Sequence, residues 1–92
     1  KIQSRVEDLV FRDVPARLAH LLSELSKTEG VLDKQGIRLK VKLTHQEMAN
    51  LIGCSRETVS TIMGQFRDQG LIQMDGRTIT IVNEKGLSKL LG

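Results

Sequence analysis

The residues whose types could support covalent or metal chemistry are few in this sequence: one cysteine, two histidines and the serines near them. A Cys54 or Ser55 nucleophile with His45 as its base would need a third group to orient the histidine, and none is visible. A zinc site of His20, His45 and Cys54 lacks the usual ligand spacing and a fourth ligand. The sequence therefore predicts no enzyme and no metal site, and Cys54 is interpreted as a small buried apolar residue in a turn.

Polar residues of another kind cluster just after Ser55. Arg56 could bond bidentately to O6 and N7 of guanine, and Glu57 could accept from N4 of cytosine. Ser60 and Thr61, one turn later, suit bases or phosphates. Ser55 and Thr58, with the N–H groups of a helix start, suit phosphate oxygens. These types predict a surface that reads the edges of DNA bases; for Arg56 and Glu57 taken singly, an ordinary solvated ion pair is the alternative.

Two short helices around a tight turn would position these residues. Thr44 to Glu47 has the pattern of a capping box, so a helix should begin there and end near Gly53. Ser55 can cap a second helix, whose apolar positions recur with helical spacing: Val59, Ile62, Met63 and Phe66. Ala49 is small enough for a close helix crossing, and Gly53 tolerates the positive φ that such a turn requires. The spacing predicts a helix-turn-helix over residues 45–69.

A hairpin is predicted directly after this motif. Leu71 to Met74 and Arg77 to Val82 are the two strands, and Asp75-Gly76 predicts a type I′ turn between them. Ile79 and Ile81 should face one way, with Thr78 and Thr80 on the opposite face. Arg77 would then lie at the tip of a wing, as a phosphate contact or as a plain solvated charge. A short terminal helix is predicted over residues 84–91.

The N-terminal part is predicted as two helices and a strand. One short amphipathic helix covers about the first ten residues, and a second begins at Asp13 as N-cap, has Pro15 in its first turn and runs to Lys27. Residues 28–36 are predicted as a loop. Ile37 to Leu43 alternates as a strand whose outer face is basic: Arg38, Lys40 and Lys42. That face is interpreted mainly as a charged sheet edge, with contact to a polyanion as the alternative.

Composition agrees with a small DNA-binding domain. The chain has 92 residues, 39% hydrophobic and 27% charged, and a formal net charge of +3, which favours a polyanionic partner. Aromatic residues are only 2%, so stacking on single-stranded nucleic acid is disfavoured. The single cysteine suggests the cytoplasm, and no apolar run could span a membrane. The predicted fold is mainly α with a small antiparallel sheet, a winged helix-turn-helix.

Leu43 to Ile81, with the runs IGCSRETVS and LIQMDGRTITI, resembles the DNA-binding domain of the Crp/Fnr regulators, the cyclic-AMP receptor protein and its relatives. Asp13 to Lys27 looks like the helix that opens that domain, and Lys1 to Phe11 like the end of the family's long dimerisation helix. The resemblance therefore divides the chain into residues 1–12 and a winged helix-turn-helix over 13–92, with the recognition helix at 56–69 and the wing at 71–83.

The resemblance also implies roles for individual residues. In the cyclic-AMP receptor branch, an arginine and a glutamate matching Arg56 and Glu57 read the half-site. Residues at several matching positions contact or approach the DNA backbone: Thr44, His45, Gln46, Ser55, Thr58 and Arg77. The sequence departs from the family at Thr61, where both main branches carry another base-reading arginine, whereas Ser60 matches the serine of the Fnr branch.

The implied partner is a palindromic promoter site in double-stranded DNA, bound by a homodimer, and contact with RNA polymerase is compatible with this function. The family's effector domain, which precedes the dimerisation helix, is not within these residues, so no cofactor is expected here. Because most of that helix would precede Lys1, we expect the 92 residues alone to be largely monomeric. A winged-helix module that binds protein and not DNA is the alternative function.

Overall fold

The computed structural model describes residues 2–91, with side chains described from residue 14 onward. Helices come first and last, and two hairpins flank the central helix pair. The elements in chain order are α1 (Ile2–Glu29), β1 (Gly30–Leu32), β2 (Ile37–Leu39), α2 (His45–Ile52), α3 (Arg56–Asp68), β3 (Ile72–Asp75), β4 (Thr78–Ile81), α4 (Glu84–Ser88) and a 3₁₀ turn (Lys89–Leu91). The predicted class, mainly α with a small antiparallel sheet, is confirmed.

One long helix replaces the two helices predicted at the N-terminus. α1 runs from Ile2 to Glu29 with Pro15 inside it, so Asp13 is not an N-cap and the prediction of a break there is wrong. Proline removes one helical hydrogen bond, but the buried stripe of Val14, Leu18 and Leu22 packs on the core across this position. The predicted domain boundary at residues 12 and 13 falls within α1. The apolar face predicted for residues 2–10 lies outside the described side chains.

The four strands form one antiparallel sheet in the order β1-β2-β4-β3. The predicted loop over residues 28–36 is wrong in part, because Gly30 to Leu32 pairs with β2 as strand β1. β2 ends at Leu39, four residues earlier than predicted, and the N–H of Lys40 donates to the carbonyl of Glu29, the last residue of α1, at 2.7 Å. The predicted alternation survives locally, since Leu39 is buried while the basic residues on either side are exposed.

The wing is the hairpin β3-β4, and its turn lies one residue later than predicted. Asp75 pairs with Thr78, so Gly76 and Arg77 are the two central residues of the turn. Gly76 has φ 63°, and no non-glycine residue in the described chain has a positive φ. Positive φ at the first central position alone is the pattern of a type II′ turn, so the predicted type I′ turn is wrong. Thr80 is buried like Ile79 and Ile81, and in the interior strand β4 it pairs with Arg38 on one side and Gln73 on the other.

The core is aliphatic, as expected from the scarcity of aromatic residues, and it holds α3 against the rest of the domain. The predicted inward positions of α3 are all buried: Val59, Ile62, Met63 and Phe66. Met48 and Ala49 on α2 are fully buried against them. Cys54, in the turn between the two helices, is partly buried on this core, as interpreted from the sequence. α2, α3 and the wing together form a winged helix-turn-helix.

Candidate nucleic-acid interface

The turn between α2 and α3 fixes the direction in which α3 leaves the core. Gly53 caps α2 in the left-handed conformation, with φ 79° and ψ 48°, and its N–H donates to the carbonyl of Ala49. A residue with a Cβ is strained in this conformation, which is why the sequence places glycine here. The chain then extends through Ser55, the N-cap of α3. Both predicted caps are confirmed, and they aim the N-terminus of α3 away from the core.

The first turn of α3 presents two hydroxyl groups beside the N–H groups at its start. Ser55 Oγ accepts from the N–H of Thr58 at 3.1 Å and lies 2.9 Å from Thr58 Oγ1. Ser55 is exposed and Thr58 half-buried. Hydroxyls next to the positive end of a helix dipole form a favourable environment for an anion such as a phosphate oxygen.

Arg56 and Glu57 follow on the exposed side of α3. Their side chains are 56% and 77% exposed, and Arg56 Nη2 lies 4.0 Å from Glu57 Oε2. An exposed pair at this distance is worth about 0–1 kcal/mol, so it does not hold either side chain in place. Both groups can turn toward base edges with little loss of internal energy. The solvated pair considered from the sequence is present, and it is too weak to compete with a bidentate contact to a base.

Ser60 and Thr61 lie one turn further along α3, and their surroundings differ. Thr61 is exposed and, with Glu57 and Pro15 of α1, lines a shallow groove of about 440 Å³ beside the recognition face. Ser60 is half-buried, and its Oγ lies 2.7 Å from Nδ1 of His45 on α2. From the sequence, His45 is predicted to contact phosphate and Ser60 to contact bases, and no signal in the sequence predicts the hydrogen bond between them.

The N-terminus of α2 forms a second polar cluster. Thr44 Oγ1 accepts from the N–H of Glu47 at 3.0 Å, and Glu47 Oε1 accepts from the N–H of Thr44 at 2.8 Å, so the predicted capping box is confirmed. The hydrogen bonds from the backbone and side chain of Thr44, with the nearby charge of Arg77, lower the pKa of Glu47 below its ordinary value of 4.5. The hydroxyl of Thr44 thus has a structural role here.

The wing meets this cluster across a small cavity of about 180 Å³, which Thr44, His45 and Arg77 line together with apolar residues. Arg77 is exposed, and so is Gln46, whose Nε2 donates to Oδ1 of Asn50 at 2.9 Å. Asn50 was not singled out from the sequence, although its spacing of four residues from Gln46 places both on one side of α2.

The ten residues assigned from the sequence therefore form two neighbouring clusters. One is on the first two turns of α3: Ser55, Arg56, Glu57, Thr58, Ser60 and Thr61. The other is at the start of α2 and the tip of the wing: Thr44, His45, Gln46 and Arg77. The hydrogen bond between His45 and Ser60 connects them. Their chemistry is that of a surface for a phosphate backbone and base edges.

The described residues offer no candidate for a metal site or for a membrane-spanning helix. No group of three or more His, Cys, Asp or Glu side chains comes close enough to hold a metal ion. No helix there is both long and apolar enough to cross a membrane.

Comparison with known proteins identifies the family. The family model described as the Crp-like helix-turn-helix domain matches residues 16–90. The CRP-like cAMP-activated global transcriptional regulator of Mycobacterium tuberculosis is 33% identical over 89 residues, covering 97% of this chain and 40% of that protein. The cAMP-activated global transcriptional regulator CRP of Haemophilus influenzae is 40% identical over 78 residues, covering 84% of this chain and 34% of that protein.

Solved structures agree with this match. The CO-dependent transcription factor CooA from Carboxydothermus hydrogenoformans, in its imidazole-bound form, superposes with a TM-score of 0.84 at 28% identity, covering 98% of this chain and 42% of that one. A CRP/FNR-family transcriptional regulator from Thermus thermophilus gives a TM-score of 0.77 at 31% identity, covering 97% of this chain and 45% of that one. These relatives are bacterial and are named as transcription regulators, not as enzymes.

The chain spans well under half the length of the proteins that it matches. Within that span, the family match covers α2, α3 and the wing, the elements that carry the two polar clusters. The predicted Crp/Fnr resemblance is confirmed, and the chain belongs to the Crp-like helix-turn-helix family as a DNA-binding domain of a Crp/Fnr-type transcription regulator.

Proposed function

We propose that this domain places α3 in the major groove of double-stranded DNA and reads a half-site directly. The observation that supports this proposal is the division of α3 into two faces. Val59, Ile62 and Met63 are buried on one face, whereas Arg56 and Glu57 are exposed on the other. A recognition helix reaches base edges with its N-terminal residues, and these are the residues that the caps of α2 and α3 turn outward.

In this proposal base reading is divided among four side chains. Arg56 bonds to guanine O6 and N7, and Glu57 accepts from cytosine N4. Ser60 and Thr61 contact bases one helical turn later. Thr61 is too short to replace an arginine at that position, so specificity depends more heavily on the first turn of α3.

Phosphate contacts set the position of the domain on the duplex. Ser55 and Thr58 bind a phosphate at the start of α3. Thr44, His45 and Gln46 at the start of α2 bind the backbone on one side of the groove, and Arg77 extends this contact from the wing. The cavity that joins the wing to α2 supports this arrangement, because His45 and Arg77 both line it.

In the longer protein we propose a dimer that binds a palindromic promoter site, with half-sites about one helical turn, or roughly 34 Å, apart. We also propose that this protein is cytoplasmic and contacts RNA polymerase, and that this domain has no catalytic role and binds no cofactor. The transcription regulators that the chain matches support it.

Selection from random duplex DNA, with the chain alone and fused to a dimeric coiled coil, tests this function. We expect a motif containing G·C pairs, which becomes palindromic in the fusion, and a steep loss of affinity with salt as counterions are released. Arg56→Ala should remove the preference for one guanine. A domain that enriched no sequence and bound DNA without salt dependence would refute the proposal and favour the module that binds protein.

A further inference from the structure

The hydrogen bond between His45 and Ser60 joins a residue assigned to phosphate with a residue assigned to bases. His45 Nδ1 and Ser60 Oγ are 2.7 Å apart, and fifteen positions separate them in the sequence. Both side chains are half-buried between α2 and α3. A contact this short, between partly enclosed groups on two packed helices, restricts the direction of the serine hydroxyl proton.

The tautomer of the neutral imidazole ring decides what Ser60 can offer to DNA. A neutral imidazole has one N–H and one lone pair, so a ring that donates from Nε2 has only an acceptor at Nδ1. Ser60 must then give its single proton to Nδ1, and only its lone pairs can face the groove. If Nδ1 carried a proton, Ser60 would accept from it and could donate to a base.

Phosphate oxygens only accept hydrogen bonds, so a neutral ring that contacts a phosphate adopts the first arrangement. His45 lines the cavity between α2 and the wing together with Arg77, where the proposed function places the DNA backbone. A ring nitrogen that faces a phosphate oxygen must carry the proton. Since Nδ1 contacts Ser60, the nitrogen that faces the phosphate is Nε2.

We infer that His45 is a positioning residue that makes the Ser60 hydroxyl an acceptor toward DNA, so that Ser60 selects a base with an exocyclic amino group in the major groove. That group is N6 of adenine or N4 of cytosine. This inference rests on the proposed function, and it deepens it by giving α3 a specificity that Ser60 alone would not have, because an isolated hydroxyl both donates and accepts.

The experiment removes the amino group from the DNA and compares matched variants. The base read by Ser60 is the one whose preference disappears in Ser60→Ala, as found by selection. In a duplex, that base is replaced by an analogue without the amino group, purine for adenine or 2-pyrimidinone for cytosine. We expect the unaltered chain to bind the analogue about two- to tenfold more weakly, the range for one neutral hydrogen bond, and Ser60→Ala to show no difference.

Substitutions of His45 test its role as a positioning residue. His45→Asn places an amide oxygen near the position of Nδ1 and should retain the preference for the amino group. His45→Lys offers only donors, so the Ser60 proton is released and the preference should disappear or reverse. Each variant is compared by the ratio of its affinity for the duplex with the amino group to its affinity for the analogue, and this ratio cancels the uniform gain from the added charge. His20→Lys, on the exposed side of α1, is the control for that charge and should leave the ratio unchanged.

Each outcome has a defined meaning. If the unaltered chain distinguishes the two duplexes no better than Ser60→Ala, or if His45→Lys keeps the full preference, the inference is wrong while the proposed function stands. If no variant binds any sequence specifically, both are overturned. Thermal unfolding by circular dichroism verifies that each variant is folded, and should His45→Lys fail to fold, the Ser60→Ala and His45→Asn results decide the matter.

Discussion

A single substitution, Ser55→Asp, should separate the structural role of Ser55 from its role in DNA binding. Ser55 Oγ accepts from the N–H of Thr58 at 3.1 Å and lies 2.9 Å from its hydroxyl. Aspartate serves as well as serine at an N-cap and can accept both hydrogen bonds. Its charge also interacts favourably with the helix dipole, by about 0.3–1 kcal/mol. The domain should therefore stay equally stable or gain a few degrees in Tm, at about 5 °C per kcal/mol for this size.

DNA affinity should change in the opposite direction. A carboxylate about 4 Å from a phosphate is repelled by about 1–4 kcal/mol, for effective dielectric constants from about 80 to about 20. This corresponds to a loss of roughly fivefold to several hundredfold, similar on specific and unrelated duplexes because phosphates carry no sequence information. Fluorescence anisotropy with both kinds of duplex, beside thermal unfolding, measures the two effects.

Asn83→Asp is the matched control for this experiment. Asn83 is the N-cap of α4 and accepts from the N–H of Gly86 at 2.9 Å, so the substitution makes the same change of charge at a helix start outside the two polar clusters. It should lower DNA affinity only slightly, through net charge. Equal losses for the two variants would show that Ser55 does not face a phosphate, and a large drop in Tm for Ser55→Asp would contradict the capping geometry.

Three further predictions concern specificity, pH and the core. Arg56→Ala should cost about 1–3 kcal/mol of binding free energy on the selected site only. Arg77→Ala should weaken binding to all duplexes and reduce the dependence of affinity on salt. A loss confined to the selected site would refute the phosphate role of Arg77. The pKa of Glu47 is lowered in the fold, so its stabilisation is present above its ordinary pKa of 4.5 and is lost as pH falls through the lowered value. Lowering the pH from about 6 to about 3 should therefore reduce the free energy of unfolding, measured in urea, more for the unaltered chain than for Glu47→Gln. Parallel curves of unfolding free energy against pH would contradict this. Met63→Ala should cost about 2–5 kcal/mol of unfolding free energy because Met63 is fully buried, against less than about 0.5 kcal/mol for Leu51→Ala, which is 63% exposed; similar urea midpoints would contradict the packing of α3.

The helix-turn-helix could be predicted from the sequence because its determinants are local. The capping box of Thr44 and Glu47, the left-handed Gly53 and the N-cap Ser55 each act within a few residues of where they stand. The apolar spacing of α3 predicted its buried face correctly for the same reason. The remaining positions of α3, which do not belong to this apolar pattern, supplied every candidate base-reading residue.

The elements that the sequence misplaced depend on contacts between distant segments. β1 has only three residues and no alternation, and it forms a strand because β2 pairs with it. The burial of Thr80 could not be predicted from the period of β4 alone, because β4 lies between β2 and β3 only in the folded sheet. Pro15 suggested a helix start because proline is common there, whereas burial on both sides of it continues α1 through it.

The hydrogen bond between His45 and Ser60 belongs to this second kind, and it affects how specificity should be assigned to residues. The helix period places Ser60 beside the exposed residues of α3, but it cannot tell whether the hydroxyl donates or accepts. In our inference the ring on α2 decides it, because the helix crossing that the small Ala49 allows brings His45 Nδ1 within 2.7 Å of Ser60 Oγ. A comparison of recognition helices that considers α3 alone would therefore assign the same base preference to two domains that differ only at position 45. If the inference is correct, a domain with a pure donor such as lysine at position 45 loses or reverses the preference for an amino group, whereas a domain with an acceptor there keeps it.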